Sequence, residues 1–411
     1  MMGDGTRSRK IKTRLQITDQ TGRPLAGCTV KFTQKSHKFL FGCGAFEAVD
    51  WLNPTEDTDV SYYEDMMEKW FRLFNFATLP FYWGRFEPEE GKPRTAELLK
   101  TARYLAGRGI ALKGHPLCWH TNCADWLLKY DDHVIFQKQL DRICREVSGF
   151  KQVIRFWDVI NETVIMPHFD RYDNAITRIC RKYGRNVLIK EVFAAARAAD
   201  PDAFLLINDF NTGHEYEAVI DKALESGVPI DGIGIQSHQH QGYWGKDKLK
   251  DVIARFSRFG LPVHFTENTL TSGHLMPKEI IDLNDYQVDQ WPTSPEYEIR
   301  QRDETEEMFR ILWESPSVEA ITEWDFADDA WLHAPAGLVG EGDNRLKPVY
   351  EKLDQLINKE WHTEVQLITD DAGWVDFEGY QGDYHIETAG QAGDTELVCG
   401  RDKEIRLLPV R

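Results

Sequence analysis

The chain has 411 residues, of which 42% are hydrophobic and 28% charged, and this composition is typical of a globular protein with a large core. Its formal net charge of −18, with the basic residues scattered, argues against nucleic-acid binding because a polyanion would be repelled. No apolar run reaches the length of a membrane span. We therefore expect a monomer without nucleic-acid or membrane partners.

The N-terminus and the cysteines bear on the cellular compartment. Residues 1–7, MMGDGTR, lack the apolar segment of a signal peptide, so the protein either stays inside the cell or is a secreted form whose signal has been removed. The seven cysteines are odd in number and widely spaced, without a CxxC pair. This pattern favours reduced, buried thiols over a disulfide framework.

The first 36 residues differ in pattern from the rest of the chain. Residues 1–10 are predicted to form a disordered tail. Residues 11–36 contain two alternating patterns, TRLQITD and CTVKFT, on either side of the turn sequence DQTGRP at 19–24. These two patterns predict a β-hairpin.

Residues 37–359 alternate apolar strand candidates with helical patterns. The eight strand candidates are Phe39–Gly44, Phe74–Leu79, Ala111–His115, Val153–Ile160, Phe204–Asn208, Gly232–Gln236, Val263–Thr266 and Ala320–Trp324. Ser61 with Glu64 three residues later predicts a capping box, and Ser294 before Pro295 predicts a second helix start. Eight β-then-α units predict an α/β protein with a (β/α)₈ TIM barrel over 37–359. A doubly wound open sheet is the alternative, although no GxGxxG follows the first strand.

Residues 360–411 return to short alternating strands separated by Gly/Asp turns. These strands are predicted at Thr363–Ile368, Gly373–Phe377, Tyr384–Glu387, Glu396–Val398 and Glu404–Leu408. Neither this segment nor residues 11–36 is long enough to bury a core alone. We predict that the two segments form one small accessory β-sandwich, with the barrel inserted between them in the sequence, and that it braces the barrel.

Two glutamates stand at the ends of predicted barrel strands. The run FWDVINE ends in Asn161 and Glu162, and VHFTENT brings Glu267 to the end of a later strand. Functional groups on such a barrel collect at the carboxyl ends of the strands, so the two carboxylates suggest acid/base and nucleophilic work on one substrate. Either glutamate alone could equally cap a strand or pair with an arginine.

The same rim is predicted to receive side chains suited to a sugar. A glycosidic bond needs a proton on its leaving oxygen and stabilised charge at the anomeric carbon, while amides and imidazoles orient hydroxyls and indoles stack on rings. The candidate substrate-binding residues are His115, Trp119, His120, Asn161, Asn208, Gln236, His238, Trp83, Tyr243, Trp324 and Trp331.

Five motifs in order, GHPLCWHTN, WDVINE, INDFN, GIGIQSH and FTEN, followed by LKPVYEKL, resemble glycoside hydrolase family 10, the endo-β-1,4-xylanases, over about residues 38–358. The resemblance implies a retaining hydrolase that cleaves β-1,4-linked xylan or xylo-oligosaccharides by double displacement, without cofactor or metal. It implies that Glu162 is the general acid/base and Glu267 the nucleophile.

The resemblance also implies roles for neighbouring residues. Asn161 would hold the 2-hydroxyl of the sugar undergoing cleavage, and His120 would contact the same sugar. Gln236 and His238 would orient the two carboxylates. Trp324 would form the sugar platform.

Two segments depart from the family's pattern. Where members carry ENEMKW, whose Asn and Lys grip the non-reducing-side sugars, this chain has TLPFYW at 78–83. The usual TELD is replaced by Thr266-Glu267-Asn268-Thr269, so the Asp that supports the histidine is absent. Both changes leave the two carboxylates in place and leave a side-branched xylan, a short oligosaccharide or another β-linked glycan open as the substrate.

Two other classes of function remain as alternatives. A metal centre could draw on His115, Cys118, His120, Cys123, His238 and His240, but no CxxC is present and the first strand ends in Gly-Cys-Gly without a ligand. A non-catalytic carbohydrate-binding barrel could use its tryptophans alone, but binding requires no facing pair of acid and nucleophile.

Overall fold

The structure is a computed structural model that describes residues 9–398 and 400–410. Its Cα atoms separate into two compact units. One unit ends at Phe41 and resumes at Glu351, and the other comprises Gly42–Tyr350.

The strands, in chain order, are β1 (Lys10–Thr18), β2 (Thr29–His37), β3 (Leu40–Gly44), β4 (Phe76–Pro80), β5 (Ala111–His115), β6 (Phe156–Asn161), β7 (Phe204–Asp209), β8 (Gly232–Ile235), β9 (Val263–Asn268), β10 (Val318–Glu323), β11 (Glu364–Ile368), β12 (Trp374–Tyr380), β13 (Gly382–Thr388), β14 (Gln391–Leu397), β15 (Lys403–Arg406) and β16 (Leu408–Pro409).

The α-helices are α1 (Glu47–Leu52), α2 (Val60–Leu73), α3 (Trp83–Phe86), α4 (Thr95–Gly107), α5 (Asp132–Phe150), α6 (Ala175–Tyr183), α7 (Arg185–Ala199), α8 (His214–Glu225), α9 (Gly245–Ser257), α10 (Pro295–Glu314) and α11 (Pro348–Gln355). Single 3₁₀ turns occur at Asp125–Lys129 and Leu283–Asp285, and a π-helical turn occurs at Leu356–Glu360. None of the helices in the described part of the chain is both long and apolar enough to span a membrane.

Strands β3 to β10 form a closed barrel in the order β10-β3-β4-β5-β6-β7-β8-β9, and successive strands from β3 through β10 pair in parallel. This confirms the predicted (β/α)₈ barrel over the open sheet. Strands β6 and β9 are buried along their whole length, as expected for parallel strands covered on both faces. Strands β4 and β6 begin later than predicted. Phe74, predicted to begin β4, instead caps the end of α2, where its N–H donates to the Trp70 carbonyl. Val153, predicted to begin β6, lies in a turn with Lys151.

One predicted helix start is confirmed and one is wrong. Ser294 caps α10, its side chain accepting from the N–H of Tyr297, and Pro295 is the first helical residue. Helix α2 is capped by Asp59 rather than Ser61, because the Asp59 carboxylate accepts from the N–H of Tyr62 and from the Ser61 hydroxyl. A carboxylate at the positive end of a helix competes well with a hydroxyl two residues later.

The terminal segments form two sheets, β12-β1-β15 and β11-β2-β13-β14-β16, which share one apolar core. The core draws on the buried face of β1, with Leu15 and Ile17 fully buried, and on Phe32, Phe377 and Tyr384 from other strands. A sandwich built from the N- and C-terminal segments is therefore confirmed.

The predicted N-terminal hairpin is wrong. Strand β1 pairs with β12 and β15, whereas β2 pairs with β11 and β13, so the two strands lie in different sheets. Asp19 organises the turn by accepting from Thr21 and Arg23, and the chain then passes to the other sheet. Each strand finds its partners in the C-terminal segment, more than 300 residues away.

The predicted tail 1–10 lies outside the described residues except for Arg9 and Lys10. Lys10 begins β1 opposite Tyr380, and its ammonium lies 4.7 Å from the centre of that ring. Of the described cysteines, Cys43, Cys118 and Cys180 are buried thiols, but Cys144 is exposed. Cys399 lies outside the described residues.

Gly114 of β5 offers a test of the barrel's packing. A Cβ at this position would lie 2.2 Å from the Trp157 ring on the adjacent strand β6. We expect Gly114→Ala to lower the free energy of unfolding by about 1–3 kcal/mol, because a well-packed core accommodates an added methyl only by moving its neighbours. Urea denaturation followed by tryptophan fluorescence measures the change.

Gly107→Ala is the matched control, since Gly107 ends α4 and a Cβ there meets no atom within 4 Å. It is expected to be neutral or stabilising by up to about 1 kcal/mol. Equal stability of the two variants would show that the barrel core is not tightly packed at Gly114.

Candidate active site

Glu162 and Glu267 reach the same cavity from two strands of the barrel. Glu162 directly follows β6, and Glu267 is the fifth residue of β9. Both line a cavity of about 1320 Å³. Their side chains are 15% and 4% exposed, respectively. The backbone of Glu162 is left-handed, with φ +57°, a conformation that a non-glycine residue keeps only when its surroundings enforce it.

A network of side-chain amides connects the two carboxyl groups. The Asn208 amide donates to Glu267 Oε1 at 2.7 Å and to Asn161 Oδ1 at 2.9 Å. Gln236 donates to the same Asn161 oxygen at 3.1 Å and to Glu162 Oε1 at 3.3 Å. Asn161 Oδ1 thus accepts hydrogen bonds from the amides of Asn208 and Gln236. Asn208 also donates to Glu267, and Gln236 also donates to Glu162. This network holds the two carboxyl groups in fixed relative positions.

The surroundings of Glu162 favour its neutral form. Burial raises the pKa of Glu162 to about 8, and the negative charges of Asp209 and Glu267 add to the shift. The hydrogen bond from Gln236 opposes the shift only in part. Glu162 is therefore protonated at neutral pH and can donate a proton.

The surroundings of Glu267 favour its ionised form. Burial acts to raise the pKa of this carboxyl, but nearby His115, His238 and Lys113 outweigh burial and hold the pKa below its ordinary value. The His238 Nε2 atom lies 3.1 Å from Glu267 Oε2. Because an ionised carboxylate only accepts, Nε2 carries the proton, and His238 Nδ1 faces the Thr269 hydroxyl at 3.3 Å.

A buried ion pair lies beneath the site. Lys113 Nζ and His115 Nδ1 approach Asp158 Oδ2 to 2.9 and 2.8 Å, and Lys113 and Asp158 are fully buried. Burial acts to raise the pKa of Asp158, but Lys113 and His115 hold it below its ordinary value. Asp158 therefore fixes the His115 ring, whose Nδ1 lies 3.9 Å from Glu267 Oε1.

Most of the predicted site residues converge on the cavity. Those that line it together with the two glutamates are His115, Trp119, His120, Gln236, His238, Trp324 and Trp331. Asn161 and Asn208 are buried beneath the carboxyl groups and belong to the amide network. Trp324 packs edge-on against His115, their ring centres 5.3 Å apart, and presents a flat apolar surface beside the carboxyl pair.

Trp83 and Tyr243, predicted to bind substrate, do not line the cavity. Trp83 is buried, its indole donating to Glu87 at 3.1 Å with the Arg142 guanidinium 4.9 Å from its ring centre. Tyr243 lies near Glu307 of α10. The side chains that face the cavity are those of the adjacent residue in each case, Tyr82 before Trp83 and Trp244 after Tyr243.

Sequence reasoning missed Phe46, Glu47 and Tyr82, which line the cavity near Trp324. The ring of Phe46 lies 5.1 Å from that of Trp324, and the Tyr82 ring lies 5.7 Å from His115. The signal for these residues was their position, since they follow β3 and β4 as the recognised residues follow their strands.

The histidines considered as metal ligands have different surroundings. His238 faces Glu267, whereas His240 is buried between Trp291 and Trp331, with ring centres 5.8 and 5.1 Å away. Across residues 9–398 and 400–410, no three His, Cys, Asp or Glu side chains group as metal ligands.

A closed barrel whose strand ends bring one neutral and one ionised carboxyl group into an aromatic-lined cavity defines a barrel enzyme of the glycoside hydrolase class. Residues 74–355, more than half of the chain, match the family described as Glycosyl hydrolase family 10. The chain belongs to this family.

Several of its relatives carry xylanase names. The chain is 27% identical to an endo-1,4-beta-xylanase/feruloyl esterase of Xylanibacter ruminicola over 78% of its own length and 46% of that protein. It is 26% identical to endo-1,4-beta-xylanase B of Thermotoga neapolitana, over 72% of this chain and 84% of that one. The solved structure of xylanase 10B from Thermotoga petrophila in complex with xylobiose shares the fold, with a TM-score of 0.63 at 24% identity, over 79% of this chain and 95% of that one.

Asp158→Asn tests the ion pair beneath the site. The substitution leaves the Lys113 cation fully buried without its carboxylate, so we expect the free energy of unfolding to fall by about 3–5 kcal/mol. Guanidinium titrations of both proteins measure the difference. Glu225→Gln is the control, because Glu225 pairs with Lys222 at 3.4 Å with side chains 69% and 56% exposed, and its loss should cost less than about 1 kcal/mol. An Asp158→Asn protein as stable as this control would show that the buried ion pair does not stabilise the fold.

Proposed function

We propose that this protein is a retaining glycoside hydrolase that cleaves β-1,4-linked xylan or xylo-oligosaccharides by double displacement. The observation that carries the proposal is the opposite protonation of Glu162 and Glu267, which face one cavity and are tied through a shared amide oxygen. Binding alone needs neither a raised nor a lowered carboxyl pKa, whereas acid-assisted displacement at an acetal carbon needs both.

In the first step, Glu267 attacks the anomeric carbon while the bond from that carbon to the leaving oxygen breaks. Glu162 gives its proton to that oxygen, and the leaving sugar departs as an alcohol. Asn208 and His238 each donate to one oxygen of Glu267, which holds the carboxylate in place for attack. The product is a glycosyl ester on Glu267 with Glu162 ionised.

In the second step, Glu162 takes a proton from water as the water oxygen attacks the anomeric carbon and the ester bond to Glu267 breaks. The charge of Glu267 contributes to the raised pKa of Glu162, so its loss in the ester makes Glu162 easier to ionise. Glu162 thus serves as acid in the first step and as base in the second.

The substrate class rests on the cavity's lining and on the relatives. The indoles of Trp324, Trp331 and Trp119 provide apolar faces for sugar rings, with His120 and His238 between them. The relatives from Xylanibacter and Thermotoga carry endo-1,4-beta-xylanase names. Uncharged sugar rings suit this cavity because stacking on an indole needs no charge.

The pH profile tests the two roles. Since Glu162 must be protonated and Glu267 ionised, kcat/KM should follow a bell with its alkaline limb near pH 8 and its acidic limb below the ordinary glutamate value of 4.5. Initial rates with an aryl β-xylobioside from pH 3 to 10 measure both limbs. Gln236→Ala removes a hydrogen bond that favours the ionised form of Glu162, so its alkaline limb should move to higher pH.

The control for the alkaline limb is Glu162→Gln with a dinitrophenyl xylobioside, whose leaving group needs no acid. Its glycosylation step should show no alkaline limb. An alkaline limb that persists in this variant would mean that another group is the acid.

Replacing the nucleophile tests the covalent step. Glu267→Ala should lower turnover of xylo-oligosaccharides by at least about 10⁴-fold, because the displacement loses its attacking carboxylate. Added azide should restore turnover of an activated xylobioside and yield the glycosyl azide of inverted configuration, identified by NMR. Glu225→Ala, far from the cavity, is the control. Hydrolysis by Glu267→Ala at the wild-type rate would refute the role of this residue.

A further inference from the structure

Arg171 joins two loops that have no role in the double displacement. It lies in the loop that follows β6 and Glu162. Its guanidinium contacts Asp285 Oδ1 at 2.5 Å and Asp282 Oδ2 at 3.2 Å, both in the loop that follows β9 and Glu267. Hydrogen bonds from one planar guanidinium to two carboxylates fix the orientation of these groups in addition to attracting their charges.

These ion pairs extend across part of the barrel's mouth. Strands β6 and β9 are separated in the closed barrel by β7 and β8, so a link between their loops passes over the ends of those two strands. Phe210, which follows β7, and Trp244, which follows β8, line the cavity together with Arg171 and Asp282. The link therefore covers the side of the cavity that β7 and β8 form.

The second loop is held firmly at its base. The Gln241 amide donates to the carbonyls of Pro277 and Ile280 at 2.8 and 2.7 Å, and the Met276 N–H donates to the His240 carbonyl at 2.9 Å. The Trp291 indole donates to the His274 carbonyl at 2.9 Å. The tip at 281–285 packs through Leu283 on the cluster that contains Met276 and Trp291, and the contacts of Arg171 tie this tip to the loop that follows β6.

The covered side is the side of the proton donor. Phe169, in the same loop as Arg171, packs on His120 with ring centres 4.5 Å apart, and His120 Nε2 lies 3.8 Å from Glu162 Oε2. An acid delivers its proton to the leaving oxygen, so the leaving group must depart past Glu162. Arg171 belongs to the loop that begins at Glu162 and lines the cavity together with Asp282, so we place the leaving part of the substrate beside these two side chains.

We propose that Arg171, Asp282 and Asp285 form a strap that limits the length of glycan on the leaving-group side of the cavity, so that the substrates are short oligosaccharides or chain ends rather than internal bonds of long polymers. This inference rests on the proposed function. The strap consists of exposed ion pairs, with side chains 41%, 30% and 48% exposed for Arg171, Asp282 and Asp285. Salt screens such pairs, so high ionic strength loosens the strap.

Opening the strap should shift activity toward polymers. For the wild type and Arg171→Ala, kcat/KM is measured on an aryl β-xylobioside, on xylotriose to xylohexaose, on linear xylan and on mixed-linkage β-glucan. We expect the ratio of polymer to aryl-xylobioside activity to rise about fivefold or more in Arg171→Ala. In the wild type, 1 M NaCl should raise the same ratio, and Arg171→Ala should lose this salt response.

Arg258→Ala is the matched control. Arg258 pairs with Asp221 at 2.6 Å, and the two side chains are 45% and 48% exposed. This exposure is similar to that of Arg171 and Asp285. The Arg258–Asp221 pair joins the end of α9 to α8, away from the cavity. The ratio of polymer to aryl-xylobioside activity in Arg258→Ala should equal that of the wild type. The exchange Arg171→Asp with Asp285→Arg should restore the wild-type preference for short substrates, which a merely structural effect of Arg171 would not predict.

The outcomes separate the strap from the function. Arg171→Ala could hydrolyse the aryl xylobioside with the same ratio of polymer to aryl-xylobioside activity, and the same response of this ratio to salt, as the wild type. That result would refute the strap and leave the proposed function intact. Absence of hydrolysis of every one of these glycans by the wild type overturns the proposed function and the strap with it.

Discussion

The chemistry of this cavity depends on keeping two largely buried carboxyl groups in unlike protonation states within one site. Burial acts on both in the same direction, since it penalises the charge of each. The difference comes from their partners, because Glu267 lies beside His115 and His238 whereas Glu162 faces Asp209 and Glu267 itself. Exclusion of water strengthens both sets of interactions together. The barrel supplies this contrast because the end of β5 and the segment after β8 bring His115 and His238 to Glu267, whereas β7 brings Asp209 to Glu162 at the end of the adjacent strand β6.

The barrel and the pair of glutamates could be predicted from the sequence for a physical reason. A parallel strand covered on both faces reads as an apolar run, and the residue that ends the run must face the rim, so Glu162 and Glu267 could be placed without coordinates. The direction of side chains beyond the strand end follows no period. Trp83 and Tyr243 were therefore predicted on the cavity, while their neighbours Tyr82 and Trp244 line it.

The strand partners of the terminal segments could not be predicted from local pattern. Strands β1 and β2 alternate correctly and a turn separates them, which satisfies every local condition for a hairpin. Each edge of β1 is nevertheless taken by a strand from the C-terminal segment, with β12 antiparallel and β15 parallel. Alternation specifies which face of a strand is buried but not which strand lies beside it. The shared core, including Leu15 and Phe377, decides between the two arrangements.

The two sides of the cavity differ in the interactions that their side chains make. This difference determines how the choice of substrate depends on ionic strength. Near the ends of β3 and β4, Phe46, Tyr82 and Trp324 provide aromatic surface. Near the ends of β6 and β9, Arg171 and Asp285 provide exposed charge. Contact between sugar rings and aromatic faces is not weakened by salt, whereas exposed ion pairs are screened within a Debye length of about 8 Å at physiological ionic strength. Ionic strength therefore acts on the exposed Arg171–Asp285 ion pair more strongly than on the aromatic contacts of a sugar, so the choice of substrate can change with salt through this ion pair.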